Sequence, residues 1–279
     1  MDKKVAIVGC SNGLSIQKKK ELEALEKKFR QIGLIPQAGS YIFEKAHGIS
    51  GSGEEKAKEL LGFFKNQEIS EIFDVSGGDM ANEILPYLDF EAIKESKAIF
   101  WGYSDLTTIL NAIYAKTGRE SVLYQVRNLL YEHGEAQTED FRKTLLEGEK
   151  DLFSIEGKFI QGEEMQGIVV GGNIRCLLKL AGTQYFPDMH EKILLLEARS
   201  GKIPQMITYL SQLKMLGVFE QITGIILGTF TQMDEIQCQP DIIELVLSYV
   251  KKEIPVFQTG QIGHGSDSKA IVIGKEIRI

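Results

Sequence analysis

Ser104 stands in Phe100-Trp101-Gly102-Tyr103-Ser104-Asp105-Leu106-Thr107, at the junction of an apolar, strand-like run and a helical stretch. A sharp strand-to-helix turn at such a junction exposes the hydroxyl and aims the free N–H groups of the helix at whatever the serine attacks. Gly102 lets the backbone turn tightly before it, and the positive end of the helix favours the oxyanion of a tetrahedral intermediate. The alternative is a serine that only caps the helix, a position where serine is preferred.

A serine nucleophile needs a base, and the chain has four histidines. His133 falls in a charged stretch, His190 in the polar turn Pro187-Asp188-Met189-His190, and His47 in a loop. His264, in Gly260-Gln261-Ile262-Gly263-His264-Gly265, directly follows a strand-like run, and its flanking glycines permit close approach to a substrate. It is the best candidate base. The group that orients an imidazole is commonly a carboxylate, and Glu197 closes the apolar run Leu194-Leu195-Leu196. A strand-end charge facing solvent or paired with Arg199 is the competing reading of that residue. Ser76-Gly77-Gly78-Asp79 likewise follows a strand and precedes a helical stretch, so one of its amides could serve as an oxyanion donor or the segment could be a simple turn. Neither it nor Gly9-Cys10-Ser11-Asn12-Gly13 carries the full glycine pattern of a dinucleotide loop, and no Walker lysine is present.

These residues must be positioned by an α/β framework. Strand-like runs at 5–9, 34–36, 69–75 and 98–102 alternate with helical stretches at 16–32, 54–65, 80–88 and 105–116, which implies a parallel sheet with helices on both faces. Sites in such sheets lie at the carboxyl ends of strands. A polar, charged segment at 128–161 reads as a connection between an N-terminal domain, 1–127, and a C-terminal domain, 162–279. The second half has strand-like runs at 167–170, 193–197, 224–228, 256–258 and 270–273, separated by helical stretches at 174–180, 204–216 and 240–250.

Of the 279 residues, 43% are hydrophobic and 25% charged, enough apolar content for a sizeable core. The net charge of -7 disfavours a nucleic-acid partner. The apolar runs fall well short of the ~20 residues that cross a bilayer, and the first is too short for an export signal, so no membrane partner and a cytoplasmic location are expected. The three cysteines, Cys10, Cys176 and Cys238, have neither disulfide-scaffold nor zinc spacing and read as free thiols. No metal and no cofactor are expected.

Read together, Gly77-Gly78 followed by Ile84-Leu85-Pro86-Tyr87-Leu88-Asp89, then Gly102-Tyr103-Ser104-Asp105, Gly171-Gly172-Asn173, Leu195-Leu196-Glu197, Leu210-Ser211-Gln212-Leu213 and Gly263-His264 resemble the LD-carboxypeptidase family over almost the whole chain. That family also contains the microcin C immunity proteins. The resemblance implies an N-terminal flavodoxin-like or Rossmann-like parallel-sheet domain bearing the nucleophile and a C-terminal α/β domain bearing the acid and base. It implies Ser104 as nucleophile, Glu197 as acid and His264 as base, with the backbone N–H groups of Gly78 and Asp105 as the oxyanion hole. It further implies a homodimer and a small muropeptide or peptide-like substrate, cut at an L,D amide bond ahead of a terminal D-alanine in murein recycling. Ser76 and Asp79 stand where many members have an arginine and an aromatic, and Ala198-Arg199 where an aspartate often follows the glutamate. These departures bear on substrate more than on chemistry. Alternatives are an immunity-like hydrolase of peptidyl nucleotides and a binding protein that has lost turnover. An ordinary α/β-hydrolase elbow is disfavoured by Leu106, where a glycine is usual.

Overall fold

The computed structural model describes residues 3–279. Five short apolar segments, β1 (Lys3–Val8), β2 (Leu34–Ala38), β3 (Ile69–Asp74), β4 (Ile99–Gly102) and β5 (Ser121–Leu123), form parallel pairs in the order β2-β1-β3-β4-β5. This is the flavodoxin-like order, whose reversal point lies between β1 and β3, where ligands of such sheets bind. The helices α1 (Lys19–Gln31), α2 (Gly53–Lys65), α3 (Phe90–Glu95) and α4 (Thr107–Thr117) link the strands. Helix α2 starts with a full capping box between Ser52 and Glu55, which satisfies two otherwise orphaned N–H groups.

The polar stretch 128–161 is not an extended linker. It folds into α5 (Gly134–Arg142) and short turns, and fully buries Phe141 and Leu152 against the outer face of the first sheet. It ends in β6 (Lys158–Gln161), an antiparallel edge strand of a second six-stranded sheet. That sheet also holds β7 (Gln166–Asn173), β8 (Lys192–Ala198), β9 (Gly224–Phe230), β10 (Val256–Gln258) and β12 (Glu276–Arg278), in the order β12-β7-β8-β9-β10-β6, with β7 to β10 mutually parallel. Helices α6 (Ile174–Leu178), α7 (Ile203–Met215), α8 (Thr231–Glu235) and α9 (Ile242–Leu247) accompany it. Strand β11 (Ile271–Ile273), expected among the C-terminal strands, returns instead to the first sheet and pairs antiparallel with β5. The physical reason is the edge: β5 has only three residues and would otherwise leave a row of peptide groups unpaired.

Period-2 alternation assigns the faces. Val5 and Ile7 pack with Phe73 and Trp101 toward α1 and α5, whereas Ala6, Val8, Ile72 and Phe100 face the other way. The second of these layers continues without a break into Val169, Leu195 and Ile226 of the second sheet. Helix α4 occupies this shared layer, and every residue from Thr107 to Ile113 is buried. A stretch of helix buried all round, as these seven residues are, has no solvent face to loosen, and Ile109, Leu110 and Ile113 contribute ~1.5–3 kcal/mol each. Among the described residues no helix is long and apolar enough to cross a membrane.

Candidate active site

After β4 the chain makes a single 3-10 turn, Ser104–Leu106, before α4 begins. The unusual backbone expected at Gly102 lies on Ser104 itself, at φ 53°. Gly102 supplies room instead: a Cβ there would come within 2.6 Å of Leu106 Cβ. Left-handed backbone costs an L-residue with a side chain ~1–2 kcal/mol, and such strain concentrates at functional sites. The N-cap of the turn is Tyr103 and no side chain caps it, so capping does not account for Ser104.

Glu197, near the end of β8, is 1% exposed. Its Oε2 accepts from His264 Nδ1 at 2.7 Å and its Oε1 from Asn173 Nδ2 at 3.0 Å, while Arg199 is exposed to solvent. The carboxylate therefore neither faces water nor pairs with Arg199. A proton on Nδ1 leaves the Nε2 lone pair free, the tautomer a general base needs. Nε2 is buried and has no hydrogen-bond partner. An acceptor orphaned in this way costs ~1–3 kcal/mol and calls for an explanation. Tyr103, next to Ser104, packs its ring on His264 with centroids 5.2 Å apart, but no hydrogen bond joins Nε2 to Ser104 Oγ. Such bonds are often long before substrate arrives.

The loop bearing His264 crosses from β10 to β11. It is held by Ser268 Oγ donating to Gly263 O at 3.1 Å, Thr229 N to Ile262 O at 2.8 Å and Asn128 Nδ2 to Gly265 O at 3.2 Å. His47, His133 and His190 are exposed. His133 Nδ1 lies 2.9 Å from Ser266 Oγ and so braces the same loop.

Gly78 has φ 126°, and a Cβ there would overlap the Asn12 side chain. Asn12 Oδ1 accepts from Asp79 N at 2.8 Å, which sets the loop after β3 against the loop after β1. Neither the Gly78 N–H nor the Asp105 N–H donates a backbone hydrogen bond among the described residues. Beneath them lies Asp74, 1% exposed, accepting from Cys10 N, Ser76 N and Ser76 Oγ at 2.7, 2.7 and 2.5 Å. Burial raises the Asp74 pKa, and these donors oppose the rise. Ser76 is itself fully buried and accepts from Ser11 N at 2.9 Å, so it is a working part of this loop.

Other groups at the site carry no motif. Asn111, 0% exposed, donates from Nδ2 to Gly171 O and accepts from Gly171 N, both at 2.8 Å. Thr107 Oγ1 accepts from Asn173 N at 3.0 Å. These bonds stitch α4 to β7. From the region of α6, Arg175 pairs with the Asp79 carboxylate and donates to Gly78 O at 3.0 Å. Lys179 Nζ lies 2.5 Å from Asp105 Oδ1 and 2.8 Å from Asp79 O. The sequence signal for Asn111 was a lone amide inside the apolar run Leu110-Asn111-Ala112-Ile113; Arg175 and Lys179 offered none.

Comparison with known proteins adds a family to this geometry. Residues 5–124 match the model of the LD-carboxypeptidase N-terminal domain and residues 166–279 that of the LD-carboxypeptidase C-terminal domain. A probable murein peptide carboxypeptidase of Bacillus subtilis is 27% identical over 269 residues, covering 91% of this chain and 82% of its own. The microcin C7 self-immunity protein MccF of Escherichia coli is 26% identical over 265 residues, with 82% and 76% covered. The crystal structure of an MccF-like protein from Bacillus anthracis superposes with a TM-score of 0.86 at 25% identity, over 99% of this chain and 93% of that one. The two domains, their order and the matched ranges agree: the chain belongs to the LD-carboxypeptidase family.

Proposed function

We propose that the chain is a serine carboxypeptidase in which Ser104 attacks, His264 transfers the proton and Glu197 orients the imidazole. The observation that carries this reading is the orphaned, buried Nε2 of a histidine already bonded through Nδ1 to a buried carboxylate, beside a serine held at φ 53°. His264 takes the Ser104 proton during attack and returns it to the leaving amine. The Gly78 and Asp105 N–H groups receive the oxyanion. Water, deprotonated by the same imidazole, then releases the acyl group. The substrate we assign is a cytoplasmic muropeptide cut at the L,D amide bond ahead of a terminal D-alanine, in murein recycling, and the protein acts as a homodimer, testable by light scattering. The likeness to the probable murein peptide carboxypeptidase of Bacillus subtilis supports this choice of substrate. Peptidyl nucleotides are the second reading, favoured by the likeness to MccF.

Mass-spectrometric detection of D-alanine released from a muropeptide tetrapeptide, by native protein and by Ser104→Ala, tests the proposal. Ser104→Ala should be slower by at least ~10³-fold, the range typical of losing a nucleophile. No release by native protein together with cleavage of a peptidyl nucleotide would replace the substrate; no cleavage of either would leave a binding protein.

A further inference from the structure

The residue whose N–H forms one wall of the hole carries a buried negative charge. Asp105 is 0% exposed, and its Oδ2 accepts from Ser11 Oγ at 2.6 Å and Ala81 N at 2.8 Å. Those neutral donors hold the carboxylate but do not cancel its charge, and a carboxylate beside a developing oxyanion opposes it. The opposing cation comes from the other domain: Lys179 Nζ, 2.5 Å from Asp105 Oδ1. The same ammonium donates to Asp79 O, the carbonyl just past Gly78, at 2.8 Å. One side chain thus grips both segments that bear the free amides. Lys179 directly follows α6, and the N-cap of α6 is Asn173, the partner of Glu197.

We infer that Lys179 is a positioning residue for the oxyanion hole: it neutralises Asp105 and fixes the Gly78 and Asp105 amides as a pair, so the hole is complete only while the C-terminal domain is docked. This rests on the proposed roles of Ser104 and the two amides. Lys179 itself touches no reacting atom; it acts through Asp105 and Asp79.

The test is the rate at which an alkyl fluorophosphonate labels Ser104 in the full chain, followed by intact mass. In that reaction an Oγ–P bond forms, the P–F bond breaks, fluoride departs and the serine proton passes to His264; the phosphoryl oxygen occupies the hole. Lys179→Met should be labelled ~30-fold more slowly, below the ~10²–10³-fold cost of losing a whole donor. The double variant Lys179→Met/Asp105→Asn should recover at least ~5-fold, because no unpaired buried charge remains. A merely structural role predicts no such recovery. Labelling of Lys179→Met at the native rate, or a double variant no faster than the single one, would overturn the inference. Should Lys179→Met fail to fold, the double variant decides: labelling within ~10-fold of native supports the inference, and none overturns it. Native protein left unlabelled would instead remove Ser104 as nucleophile, and the inference with it.

Discussion

Each oxygen of the Glu197 carboxylate has one side-chain partner, His264 on Oε2 and Asn173 on Oε1. With both filled, the carboxylate has no second orientation of equal energy, and the imidazole it holds is fixed with it. Asn173→Ala leaves Oε1 unpaired in a site only 1% exposed. Unpaired buried acceptors cost ~1–3 kcal/mol, so kcat should fall ~10–100-fold with little change in KM, measured on the substrate that the native protein turns over. An unchanged kcat would mean that His264 alone orients the glutamate. Ser104, Glu197 and His264 could be picked out as candidates in the sequence because each closes or follows an apolar run, because histidine is scarce, and because the segments around them resemble one family. Asn173 and Lys179 were not, since their partners Glu197 and Asp105 lie 24 and 74 residues away along the chain. Only the fold brings those pairs together.

The seam between α4 and β7 sets Ser104, the nucleophile we propose, toward Glu197. Asn111 makes the hydrogen bonds there that a neighbouring strand would otherwise make, meeting both the N–H and the C=O of Gly171. Asn111→Leu keeps the volume but strands both groups, and a loss of ~2–4 kcal/mol in urea unfolding is expected, together with lower activity as the turn at Ser104 loses its register. Elements with a clear period were readable from sequence: the strand at 256–258 is found as expected, and β1, β3, β8 and β9 lie within two residues of their expected bounds. Others were not, for identifiable reasons. Strand β5 has three residues, too few to display alternation. Helix α5 reads Gly-Glu-Ala-Gln-Thr-Glu-Asp-Phe-Arg and rests chiefly on one aromatic, Phe141. The expected helix at 80–88 is a 3-10 segment, Ala81–Tyr87, with Pro86 inside it, where the missing N–H disfavours α-helical pairing.

The polar stretch at 128–161 reads in the sequence as a connection between two domains. Composition hid two facts: the apolar layer between the sheets is shared, and the last strand to enter the first sheet comes from the far end of the chain. Neither is a local property, so neither could be read from a window of residues. Both bear on what happens when the chain is cut. Residues 146–150 are exposed, at the end of a turn that follows α5. A limited protease cleaving there should give two bands on a denaturing gel, one peak on a sizing column, and unreduced activity. Two separate peaks would show that the connection, rather than the returning strand, holds the halves together.

The loop with His264 is that return path, leaving the second sheet at β10 and entering the first at β11. The chain then leaves β11 again for β12 of the second sheet through Gly274 and Lys275 alone, so its last strands cross between the sheets twice. The molecule is laced at this end, with the imidazole on the longer of the two laces. A motion that parts the two sheets strains both crossings, and through the longer one it displaces the imidazole from the place we propose for the proton carrier.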